Sequence, residues 1–67
     1  MRFRFIEVTV DEAGRLGGFG SRILINIDHI VLVRSAGKGG SAIFLTDWDD
    51  DIHVKESFFD LMEALER

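Results

Sequence analysis

The sequence predicts an α+β fold: a five-stranded antiparallel meander, open or curled into a small barrel, with one C-terminal helix. Three observations predict it. Five short apolar runs alternate with a period of two. After Ser57 the period changes to that of a helix. The connections are too short for parallel crossovers, which need a dozen or more residues. The 67 residues leave room for one core, so a single domain spanning 1–67 is expected.

The first run is residues 3–10. Ile6, Val8 and Val10 alternate with Glu7 and Thr9, the pattern of a half-buried strand. Phe3 and Phe5 have the opposite phase, which requires either a bulge near Phe5 and Ile6 or a Phe5 that faces the other side. The second run, 22–27, places Ile23, Ile25 and Ile27 on one face, and Asp28-His29 then makes a brief turn. The third, 30–35, sets Val31 and Val33 against Ile30 and Leu32. The fourth, 42–46, opposes Ile43 and Leu45 to Phe44, and the fifth, 51–55, opposes Ile52 and Val54 to His53. No Pro occurs anywhere, so the glycines of 14–20 and 37–40 and the acidic stretch 47–51 mark the breaks. The helix is expected over 58–66. Phe58, Leu61, Met62 and Leu65 form its apolar stripe, Ser57 its N-cap and Asp60 the capping-box partner, with Glu63 and Arg67 as an i, i+4 pair.

Composition excludes several classes. Hydrophobic residues make up 46% and charged residues 30% of the chain, a globular balance. There is no Cys, which removes disulfides, thiolate zinc sites and a cysteine nucleophile. No apolar run has the length of a membrane span, and the N-terminus alternates charge and Phe, unlike a signal peptide; a cytoplasmic protein with no membrane partner is expected. The net charge of −4 opposes a nucleic-acid backbone as the main ligand. Charge is unevenly spread: residues 1–46 hold six basic and four acidic groups, and 47–67 hold two basic and eight acidic ones.

Geometry then points to association. A nine-residue helix is about 13 Å long and about 10 Å wide, whereas five strands about 4.8 Å apart span roughly 20 Å. Such a helix covers less than half of one sheet face, the one bearing Ile6, Val8, Ile23, Ile25, Val31, Val33, Ile43, Leu45, Ile52 and Val54. The opposite face still carries Phe5, Leu24, Leu32 and Phe44. Burying four such side chains contributes on the order of 6–12 kcal/mol before association costs. These residues are therefore interface candidates for a homo-oligomer, the alternative being that sheet curvature and the 13–21 loop cover them. Trp48 joins them, either as an anchor for a larger protein partner or as a turn aromatic on its own hairpin.

Signals for chemistry are weaker. Asp47, Asp49, Asp50 and Asp51 are candidate ligands for a divalent cation, but their spacing is not that of an EF-hand, and a solvated acidic turn is the plainer reading. His29 and His53 each stand alone in their segments. The glycine-rich segments match neither phosphate-binding fingerprint and run into strands rather than helices. Leu16 and Phe19, apolar within a loop, imply that the loop folds back onto something. Arg2, Arg4, Arg15, Arg22, Arg34 and Lys38 would make a basic patch for a weak nucleic-acid contact, with Phe5 and Phe44 as stacking surfaces. No Ser, His and Asp stand in a recognisable catalytic arrangement, and an enclosed pocket has little volume to form in. The expectation is a non-enzymatic binding protein without a cofactor.

Residues 25–30 (Ile-Asn-Ile-Asp-His-Ile), 43–47 (Ile-Phe-Leu-Thr-Asp) and 52–58 (Ile-His-Val-Lys-Glu-Ser-Phe), followed by Leu61 and Leu65, carry a family resemblance. Over about two-thirds of its length the chain resembles the small FlbD/SwrD-like proteins encoded with bacterial flagellar genes. Its strand-and-helix ending is also loosely similar to LytTR-type domains. The resemblance implies hairpins followed by a capped helix and a motility-associated accessory role, and it carries over no catalytic or ligand residues. Two departures stand out: the turn at 47–51 is longer than the family's tight turn and holds Trp48, and the glycine-rich segment extends the first hairpin.

Overall fold

The computed structural model describes residues 4–13 and 16–66. Alternation builds the first hairpin from β1 (Phe5–Thr9) and β2 (Arg22–Asn26), antiparallel and in unbroken register from Phe5 opposite Asn26 to Thr9 opposite Arg22. There is no bulge at Phe5; its side chain faces outward, and Phe3 and Arg15 lie outside the described residues. A 3₁₀ turn, Ile27–His29, capped by the Asn26 side chain accepting from the Asp28 N–H (2.9 Å), leads into β3 (Ile30–Ser35). β4 (Ser41–Leu45) and β5 (Ile52–Val54) complete a second antiparallel sheet in the order β3-β4-β5. The five strands are antiparallel to their sheet neighbours and divided between two sheets, not closed into a barrel; β2 and β3, although consecutive, are not paired.

A seam joins the sheets where β1 ends. Val10 bridges Val54, the Asp11 N–H donates to the His53 carbonyl (2.8 Å), and the Lys55 N–H donates to the Thr9 carbonyl (2.9 Å). Glu56 clamps the same place: its Oε1 accepts from the Thr9 N–H (2.8 Å), its Oε2 from the Thr9 hydroxyl (2.9 Å), and its carbonyl from the Ser41 hydroxyl (2.8 Å). Read across the seam, the strand order is β2-β1-β5-β4-β3, with β2 and β3 as the two outer edges.

The core lies between the sheets. Ile6, Val8, Ile25, Ile43, Ile52 and Val54 are buried there with Leu61 of α1 (Phe58–Leu65). One inward assignment fails. Val31 is exposed, whereas Ile30 packs on the core, because β3 pairs Ile30 with Leu45 but Leu32 with Phe44. One extra residue on β3 makes a bulge, and a bulge reverses the alternation on one side of itself.

α1 starts as its sequence dictates, with the Ser57 hydroxyl accepting from the Asp60 N–H (3.0 Å). Its inward stripe is Leu61, Ala64 and Leu65; Phe58 and Met62 sit at the margin, each about two-fifths exposed. The short helix touches the sheets along a narrow line centred on Leu61, so residues one turn away are only half covered. Arg67 of the expected Glu63 pair lies outside the described residues.

Candidate interaction surface

Alternation along the hairpin fixes which backbone groups of β2 are already used. The Val10 N–H donates to the Ser21 carbonyl (2.7 Å) and the Ile27 N–H to the Arg4 carbonyl (3.1 Å). Hydrogen-bonded pairs therefore fall on even residues of β1, opposite Ile23 and Ile25. The N–H and C=O groups of Arg22 and Leu24 point the other way, to the open edge of the sheet. The other side of β1 obeys the same parity, since Thr9 turns its N–H and C=O toward Glu56 and Lys55.

Beside this edge lies an open groove of about 600 Å³. One wall is four consecutive β2 residues, Ile23 to Asn26; the other is Leu45, Thr46, Asp47 and Trp48, with Leu16, His29 and Ile52 completing the lining. Consecutive residues of a strand point to opposite faces, so a wall containing all four means that the strand's edge, not one face, borders the groove. The far wall is tied down by the Thr46 N–H and hydroxyl, which donate to the His29 carbonyl (2.8 and 3.1 Å), and by the Trp48 N–H donating to the Leu45 carbonyl (3.3 Å). Asp47 makes the turn at φ 66°, a region that Asp tolerates better than most residues.

The interface candidates divide between two outer faces. Phe5 (51% exposed) and Leu24 (67%) lie on the first sheet, where a Glu7–Arg22 ion pair at 2.7 Å sits among them. Leu32 (50%) stands opposite Phe44 on the second. Phe44 is half-buried, and the Arg34 guanidinium lies 5.9 Å from its ring centroid. Trp48, 44% exposed, borders the groove rather than the outer faces. The 16–20 loop leaves Phe5, Leu24 and Leu32 uncovered: Leu16 folds onto the core, and Phe19 stays exposed.

The polar candidates do not gather into a metal site. Asp51 turns to Arg34 and His53, its Oδ2 lying 3.3 Å from Arg34 Nη2 and 3.3 Å from His53 Nε2. Among the described residues no group of three or more His, Asp or Glu side chains could hold a metal ion. His29 lines the groove, whereas His53 alternates with the inward Ile52 and Val54 and so faces the other side. No helix among the described residues is long and apolar enough to cross a membrane.

Sequence reasoning weighed only an enclosed pocket, for which it left little volume, and did not foresee an open groove. Its near wall was readable as an apolar strand, but the groove exists only because the fold brings that strand's edge beside the turn at 45–48. Comparison with protein-family models, with curated proteins and with solved structures finds no match for this chain.

Proposed function

We propose that this protein is a non-enzymatic interaction module whose principal partner is a second copy of itself. The observation that carries this reading is the uncovered apolar surface. Nine large hydrophobic side chains are exposed among the described residues, with Phe5, Leu24 and Leu32 at least half in water. Small monomers rarely leave that much apolar area wet, and a core of this size without disulfides supplies only a few kcal/mol of net stability. Association relieves both.

Light scattering over a series from micromolar to millimolar chain is expected to show the mass rising to that of a dimer or larger species. A chain carrying both Leu24→Asp and Leu32→Asp is expected to stay monomeric and folded, with affinity lowered about a hundredfold or more, because a carboxylate placed in the contact would have to be buried unpaired. A wild-type mass that stays at one chain throughout would overturn the proposal.

A second reading is favoured by Trp48, half-exposed on the groove beside Asp47 and followed by Asp49 and Asp50. Here the groove takes a basic segment of a larger protein, the motility-associated partner that the resemblance to FlbD/SwrD-like proteins implies. Trp48 is the only Trp and so reports directly. A lysine-rich peptide is expected to shift its emission and to be released by salt, and Trp48→Ala is expected to weaken the binding about tenfold or more. An emission spectrum unmoved by millimolar peptide would reject this reading.

A further inference from the structure

We infer that two copies pair edge to edge through β2, antiparallel, with Leu24 on the two-fold axis. The inference rests on the self-association reading and specifies its contact.

Of the two outer edges, β3 is the protected one. It carries the bulge at Val31, and α1 packs against it. Bulges and covering elements are devices that stop an edge from pairing. β2 has neither: its register is regular, it holds no Pro or Lys, and no charged side chain points inward from it. The outward backbone groups at Leu24 are those that the hairpin does not use.

The sequence of β2 explains why the partner is a copy. Arg22-Ile23-Leu24-Ile25-Asn26 reads polar, Ile, Leu, Ile, polar in either direction. A two-fold axis at Leu24 sets Leu24 against Leu24 of the second copy, Ile23 against Ile25, and Arg22 against Asn26. Apolar residues meet apolar residues on both faces, and no like charges stand opposite each other. The parity also agrees: antiparallel exchange of two hydrogen bonds at the axis needs a residue whose N–H and C=O both point outward, which Leu24 is. The contact is isologous, so it closes at a dimer and leaves no free β2 edge to grow a fibre. The incoming strand lies along the groove, within reach of Trp48.

The chain has no Cys, so a single introduced thiol tests the register. At the axis the two Cα atoms stand about 5.5 Å apart, inside the range a disulfide spans. Leu24→Cys with oxidised glutathione is expected to give a covalent dimer in high yield. Arg22→Cys is expected to give little, because the two positions 22 lie about 14 Å apart. Leu24→Lys is expected to weaken the dimer about thirtyfold or more while keeping the circular dichroism of the wild type. Leu24→Pro removes only the outward N–H and should do the same. Leu32→Asp alone is expected to leave the dimer intact. A dimer that survives both Leu24→Lys and Leu24→Pro but dissociates with Leu32→Asp would overturn the edge pairing and leave self-association standing. A wild-type chain that is monomeric at millimolar concentration overturns both.

Discussion

Leu61→Ala is expected to remove most of the stability of the folded chain. Leu61 is the one fully buried residue of α1, 2% exposed, and it reaches the core formed by both sheets. Truncating a buried Leu costs about 2–5 kcal/mol. A single core of this size has only about 3–5 kcal/mol of net stability, so the loss is comparable with the whole. Urea titration followed by circular dichroism checks it: the midpoint should fall sharply or no folded baseline should remain. Phe59→Ala, two residues earlier on the exposed side of the same helix, should move stability by about 0.5 kcal/mol or less. Equal effects from the two would mean that the helix is not held by its Leu61 seat. In a self-associating chain the loss also depends on concentration, so both variants are compared at one concentration.

Gly40→Ala is the second large effect, and it does not come from backbone conformation. Gly40 has φ −91°, which any residue adopts. The obstacle is a neighbour: a Cβ at position 40 would lie 2.6 Å from the carbonyl oxygen of Val54. That oxygen belongs to the seam backbone, fixed by the Ser41–Val54 pairing, the Val10 bridge and the Glu56 clamp. Relief requires β4 and β5 to separate where the two sheets join. A cost of about 1–3 kcal/mol or more is expected, as for overpacking a filled core. Gly18→Ala has open space around it but φ +84°, so its cost is conformational, about 1–2 kcal/mol. Thermal melts of the two variants should separate the mechanisms, with Gly40→Ala also weakening protection of the β4 and β5 amides from hydrogen exchange. Intact protection there would remove the close-contact argument.

These two positions differ in how readable they are. Leu61 is legible in the sequence because it stands in a helical stripe just after a Ser57 cap, and local periodicity determines both. Gly40 reads only as a loop residue, one of three glycines in a row of four; that it alone touches another strand depends on which strands meet. The same division runs through the candidate surface. Exposed positions for Phe5, Leu24 and Leu32 follow from strand phase. Val31 does not, because one inserted residue in β3 undoes the phase, and a bulge leaves no mark in a run of four apolar residues. Phe44 has the outward phase, yet the Arg34 guanidinium lies over its ring and half of it is buried.

The sequence by itself determined five antiparallel strands, a capped C-terminal helix, and more apolar surface than that helix can cover. Each of these depends on neighbours within about ten residues: alternation, helical stripe, cap and turn. Tertiary structure alone decided that the strands divide into two sheets sewn together at Val10 and Val54, that a groove opens beside Trp48, and that β2 rather than β3 is the unprotected edge. The physical reason is that strand order is set by backbone pairing between segments more than forty residues apart, such as Val10 with Val54, and every backbone offers the same donors and acceptors whatever its side chains.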